Sequence, residues 1–96
     1  MQIIYHPLFE DQLVEIAQHI SLDKPEAGFQ FAIDIETLIR SLPDFPLRYR
    51  KSIYSDDDNV RDMIFKKYTV IYEVNFEKNM IEILEIFNRN LPTRHP

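Results

Sequence analysis

The chain contains no cysteine. It therefore has no thiolate nucleophile, no zinc–thiolate site and no disulfide framework, and the absence is neutral about redox compartment. It holds a single glycine, Gly28, whereas phosphate-cradling loops of the P-loop or dinucleotide kind need two or three. No apolar run approaches the ~18 residues of a membrane span. The opening Met1–Pro7 lacks the basic region and long apolar stretch of a secretory leader, so the expected compartment is the cytoplasm. Positive charge is also scarce. Eleven Lys and Arg stand against 16 Asp and Glu, for a net charge of −5, which argues against strong direct binding to nucleic acid through phosphates.

What is present describes a globular chain. Its 96 residues are 45% hydrophobic and 28% charged, which suits one domain over residues 1–96. At this size folding buries somewhat over ~60% of the unfolded chain's surface, so one core suffices without staples. The charge is unevenly placed. Residues 1–46 carry two cations and eight acids, and residues 47–96 carry nine cations and eight acids. An acidic first half thus precedes a near-neutral second half holding most of the arginine, an asymmetry that concerns partners and not fold.

Residues Gln2–Tyr5 read as a first strand, closed by Pro7. Phe9, Leu13, Ile16, Ala17 and Ile20 then recur at helical spacing, with Pro7 at the first turn and Glu10 and Asp11 near the positive end of the dipole. After a break at Ser21–Lys24, Pro25 opens a second helix with Gly28, Phe31, Ala32, Ile35, Leu38, Ile39 and Leu42 on one stripe. Phe29 and Ile33 widen that stripe toward a second neighbour, and Pro43 and Pro46 end it. Two amphipathic helices with so short a link predict an antiparallel hairpin.

Beyond residue 47 the period falls to two. Arg50–Tyr54 reads as a short strand, Ser55–Asn59 as a polar turn, and Val60–Lys67 and Tyr68–Val74 as alternating strands. Asn75–Asn79 is a hairpin loop, and Met80–Phe87, apolar on both faces apart from Glu82 and Glu85, suits a central strand. Residues 89–96, with Pro92 and Pro96, are expected to form a flexible tail. The expected fold is α+β, in the order β-α-α-β-β-β(-β), with a helical hairpin packed on a mainly antiparallel sheet.

Several residues invite chemical readings. Arg61 lies on a largely apolar strand and is either functional or ion-paired across the sheet with Glu73 or Glu82. Tyr68 and Tyr72 share one strand face and read as core with their hydroxyls at the edge. Lys66 and Lys67 with Arg48, Arg50 and Lys51 form either a modest basic patch or a protected edge. Asp56–Asp58 fails as a calcium loop, because the third ligand position is Val60 and no glycine follows. His6 and His19 stand 13 apart with no carboxylate pattern, so no metal site and no cofactor is expected.

The order of elements resembles the ParE/RelE superfamily of type II toxin–antitoxin toxins. The run Val60-Arg61-Asp62-Met63-Ile64-Phe65-Lys66-Lys67-Tyr68-Thr69-Val70-Ile71-Tyr72-Glu73-Val74 and the later Ile81–Arg89 carry the likeness, with Pro25-Glu26-Ala27 at the second helix. The chain looks most like the ParE branch, over nearly its whole length. That resemblance implies a toxin that poisons DNA gyrase by binding, causes growth arrest, is tied to plasmid stabilisation and is neutralised in a hetero-oligomer with a cognate antitoxin. The RelE branch implies an endoribonuclease acting on ribosome-bound messenger RNA. A third reading is a member that binds its antitoxin without being toxic.

RNA cleavage needs a base, an acid and cations around the phosphate. The ribonuclease branch places an arginine shortly before the first tyrosine, where this chain has Ile64. That branch often ends in a histidine, arginine or tyrosine serving as acid, where this chain has Phe87-Asn88-Arg89 and its only late histidine, His95, in the expected tail. The resemblance therefore favours a binding toxin without catalytic residues. Its target-contact candidates are Arg61, Tyr68, Asn88, Arg89 and Arg94, and the candidates for an antitoxin groove are Phe9, Leu13, Ile16, Phe29 and Ile33, apolar residues that mostly build the core and whose spacing does not separate the two uses. The acidic hairpin is expected to meet a partner segment bearing Lys or Arg.

Overall fold

The computed structural model describes residues 1–90. It consists of β1 (Gln2–Tyr5), α1 (Pro7–Ser21), α2 (Pro25–Arg40), a 3-10 turn (Leu42–Asp44), β2 (Arg50–Lys51), β3 (Val60–Phe65), β4 (Tyr68–Asn75) and β5 (Met80–Asn88). The strands form one sheet in the order β1-β5-β4-β3-β2. β1 runs parallel to β5, and every other pairing is antiparallel. The expected α+β arrangement, with two helices on a mainly antiparallel sheet, is the one observed.

Both helices begin as their prolines dictate. Pro7 and Pro25 occupy first-turn positions, where a missing N–H costs nothing, and the His6 Nδ1 accepts the Leu8 N–H at 3.1 Å as a cap. The hairpin closes tightly at Gly28. A Cβ built there would overlap the Ala17 carbonyl oxygen and the Ser21 hydroxyl, so the chain's one glycine sits where α1 and α2 come too close for a side chain. The core lies between this hairpin and one sheet face. Phe9, Phe31, Ile35, Ile39 and Leu42 pack onto Met63, Tyr68, Val70, Tyr72, Val74, Ile81, Ile83 and Ile86.

β5 departs from simple alternation. Ile71 faces Glu85 and Tyr72 faces Ile83, which leaves Leu84 as an extra residue in a bulge. The bulge lets Ile81, Ile83 and Ile86 all face the helices despite their uneven spacing, and this explains why the strand reads as apolar on both faces. Past the end of β1, the Gln12 side chain accepts the Ile86 N–H at 2.8 Å and so takes over from the missing ladder. On the opposite sheet face Glu73 and Glu82 stand directly across from each other.

β2 is shorter than its pattern suggests. Asp62 Oδ2 accepts the Ile53 N–H at 3.1 Å, and the Ser52 hydroxyl accepts the Tyr54 N–H at 3.1 Å. Side chains thus capture the donors that would have extended the ladder, and residues 53–54 turn out of it. Tyr54 meets Phe87 edge-on at 5.3 Å, which lays this segment across the sheet face away from the helices.

Candidate functional site

The strand register brings three of the predicted contact residues to one corner of the sheet. β3 and β4 join through a two-residue turn, Lys66-Lys67, and Tyr68 at the start of β4 pairs with Asn88 at the end of β5. The Arg89 N–H donates to the Lys67 carbonyl at 2.8 Å, so Arg89 stands beside the turn. Lys66, Lys67 and Arg89 are all exposed and make no ion pair among the described residues. The Lys66 ammonium lies 5.3 Å from the centre of the Phe65 ring. Its backbone has φ 56°, a left-handed conformation costing a non-glycine residue roughly 1–2 kcal/mol. This corner brings the backbones of three exposed cations together on a chain of net charge −5.

Tyr68 supports the corner from beneath. It is buried, its ring lies 4.8 Å from that of Phe31, and burial pushes its hydroxyl above the usual tyrosine range. A phenol held neutral in this way packs and does not act as a base at ordinary pH. Asn88 is half-buried, and its side-chain oxygen accepts the Asn90 N–H at 2.9 Å, shaping the turn that carries Arg89. Arg94 and the tail from residue 91 onward lie outside the described residues, as does His95.

Arg61 belongs to a different place. It pairs with Tyr72 on the sheet face toward the helices, whereas Glu73 and Glu82 occupy the other face, so the alternative of an ion pair with either acid is not the arrangement found. Its guanidinium donates instead to three backbone carbonyls: Asp58 at 2.9 Å, Leu47 at 3.2 Å and Tyr49 at 3.1 Å. Arg61 thereby ties two loops to β3. It stands four residues along the strand from Phe65, about 13 Å, and the Lys66-Lys67 turn begins one residue further on.

The broader basic patch divides for the same reason. Arg50 pairs with the buried Asp62 at 3.3 Å and Lys51 with Asp58 at 3.2 Å. β2 reaches only Arg61 and Asp62 on its neighbour, so these cations do not merge with Lys66 and Lys67.

The helical hairpin offers the second surface. Phe9 is 1% exposed and wholly committed to the core, so it is withdrawn from the groove set. Leu13 and Ile16 are half-buried against that core. Phe29 and Ile33, one turn apart on α2, are 70% and 41% exposed and give the hairpin an apolar outer face. Seven carboxylates and two cations lie between residues 7 and 40, so this apolar face is set in negative charge.

Sequence reasoning missed two features. The first is Phe31 as the support under Tyr68, a residue whose helical spacing marks it as core without naming what it holds. The second is a shallow groove of about 540 Å³ lined by Asp44, Phe45, Pro46, Leu47, Arg48 and Phe76, contributed by two loops far apart in the chain.

With this geometry in view, the comparisons with known proteins are specific. The family model described as the ParE toxin of the type II toxin–antitoxin system parDE matches residues 3–90. The chain belongs to that family. A solved structure described as the chromosomal ParDE toxin–antitoxin system from P. aeruginosa superposes with a TM-score of 0.73 at 20% identity, covering 92% of this chain and 95% of that one. At that identity the likeness is one of fold. No curated protein matches the sequence. Among the described residues, no helix is long and apolar enough to cross a membrane, and no group of three or more metal-ligating side chains occurs.

Proposed function

We propose that this toxin acts by binding, that DNA gyrase is its target, and that it is neutralised by a cognate antitoxin in a hetero-oligomer. The observation that carries the reading is the corner formed by Lys66, Lys67 and Arg89. Three exposed cations, without an ion pair among the described residues, stand there beside a buried tyrosine whose pKa is raised by burial. Such a surface suits an acidic protein face better than phosphoryl chemistry, which needs a titrating acid and base beside the cations. Tyr68 and Asn88 shape the corner, and Arg89 supplies its most direct contact. Arg94 follows in the chain as a further candidate.

The antitoxin is assigned to the hairpin. Phe29 and Ile33 present apolar anchors one turn apart on α2, in the manner of a surface that receives an amphipathic helix, and Leu13 and Ile16 on α1 are half-buried against the core. The surrounding carboxylates call for Lys or Arg flanking the partner's apolar positions. An acidic segment lying on this face in a complex would contradict the assignment.

The test is to express the chain alone from a tightly repressed promoter in a bacterium while following a DNA-damage reporter. Growth arrest with a rising reporter, both relieved by Arg89→Glu, is the expected result. Arrest with a silent reporter and shortened messenger RNA would overturn the gyrase reading in favour of ribonuclease activity.

A further inference from the structure

The groove between the α2–β2 loop and the β4–β5 hairpin is separate from both surfaces assigned above, and its construction is unusual for a plain loop. Phe45 and Phe76 are 66% and 57% exposed and Leu47 is 38% exposed, so three large apolar side chains face solvent in one place. A contiguous apolar patch on a small domain marks an interaction site more often than scattered hydrophobes do. The backbone beneath is fixed. The Tyr72 hydroxyl donates to the Pro46 carbonyl at 2.6 Å, Arg61 donates to the Leu47 and Tyr49 carbonyls, and the Arg48 N–H closes a turn onto the Phe45 carbonyl at 3.0 Å. Two residues of the sheet, both reaching past the core, thus hold the exposed residues in a set arrangement. Preorganisation of this kind lowers the ordering cost of binding.

Charge specifies the occupant. The Arg48 guanidinium lies 5.5 Å from the centre of the Phe45 ring and 6.0 Å from that of Tyr49, stacked within the aromatic wall. It has no carboxylate partner among the described residues, whereas the neighbouring Arg50 and Lys51 are both paired. Asp44, the other charged group on the rim, is exposed. From this arrangement we infer that the groove is a docking site for a short peptide segment of a partner protein, carrying an aromatic or aliphatic anchor flanked by a carboxylate. The anchor fits between Phe45, Leu47 and Phe76, and the carboxylate meets Arg48. A groove of this size takes a side chain with its adjoining backbone, not a helix laid lengthwise.

The test is a titration of the full-length, nitrogen-15-labelled protein with two probe peptides, Ac-Glu-Phe-Glu-NH2 and Ac-Lys-Phe-Lys-NH2, each to millimolar concentration. The acidic peptide should shift the amides of Phe45, Leu47, Arg48 and Phe76 saturably, and the basic one should bind at least about fivefold more weakly. Arg48→Glu should reverse that preference and Phe76→Ser should abolish both responses, each with the rest of the spectrum intact. Three outcomes overturn the inference: no response at these amides, equal responses to the two peptides, or responses confined to Phe29 and Ile33. Concentration-dependent shifts of the same amides without peptide would also overturn it, by placing a second copy of this chain in the groove.

Discussion

The Tyr72 hydroxyl donates a 2.6 Å hydrogen bond to the carbonyl oxygen of Pro46, joining the middle of the sheet to the loop that leaves α2. The ring itself is fully buried, and the Tyr49 ring meets it edge-on at 6.5 Å. Burial is the main cause that pushes the hydroxyl up to about 12. The bond therefore depends on a phenol that stays protonated inside the fold.

That dependence predicts an alkaline loss of stability. A tyrosine whose folded pKa lies above its unfolded value contributes fully below pH ~10, and the contribution fades as pH rises from there through about 12. The loss from Tyr72 amounts to at most ~3 kcal/mol. Tyr5 and Tyr68, also raised chiefly by burial, act in the same direction. Urea unfolding between pH 8 and pH 12 should show a falling midpoint. Tyr72→Phe should start about 1 kcal/mol less stable at neutral pH and lose less on going alkaline. Parallel curves for the two proteins would show that Tyr72 does not carry the effect.

Arg61 and Arg89 should separate cleanly on mutation. Arg61→Ala removes three hydrogen bonds to loop carbonyls and should cost about 1–3 kcal/mol, so any lost toxicity would come with lost stability. Arg89→Ala touches only exposed charge and should leave thermal unfolding within about 0.5 kcal/mol of the parent while reducing toxicity. Thermal denaturation of both variants beside a growth assay checks the pair. An Arg61→Ala protein of parental stability without toxicity would return Arg61 to the target-contact set.

Gly28→Ala should destabilise the protein even though alanine is the better helix former by about 1 kcal/mol. The added methyl would meet the Ala17 carbonyl oxygen, which belongs to the backbone and cannot rotate away, so α1 and α2 must move apart. Overpacking of that kind costs about 1–3 kcal/mol, and the net change measured by chemical denaturation should be a loss. A more stable variant would mean that the hairpin is looser than described.

Glu73 and Glu82 face each other across β4 and β5, an arrangement of like charges that opposes strand pairing. Glu82→Gln should therefore raise stability by ~0.2–1 kcal/mol, and the gain should shrink in high salt. A loss of stability on that substitution would show that the carboxylate has a role the pairing does not reveal.

The helices were legible because their apolar residues repeat at helical spacing and their prolines mark the starts. The alternation from Val60 to Val74 likewise announced two paired strands. The parallel pairing of β1 with β5 was not legible, because alternation in one strand carries no information about its neighbour. The bulge at Leu84 was hidden for a related reason, since an extra residue simply makes both faces look apolar. Among the site residues, Tyr68, Asn88 and Arg89 came together as the register allowed. Arg61 did not, because its partners are backbone carbonyls, an acceptor that every residue carries and no motif can mark. Phe9 lies in the core, and helical spacing could not decide between core and groove for it, because the spacing identifies an apolar face without saying what covers it.

The central claim is that the corner of Lys66, Lys67 and Arg89 binds gyrase. Its most direct test is a DNA-cleavage assay with purified gyrase and the purified toxin, run beside the Arg89→Glu variant. The account predicts accumulation of gyrase-linked cleaved DNA with the parent protein and its loss with the variant. Unchanged gyrase activity in the presence of a folded, toxic protein would contradict it.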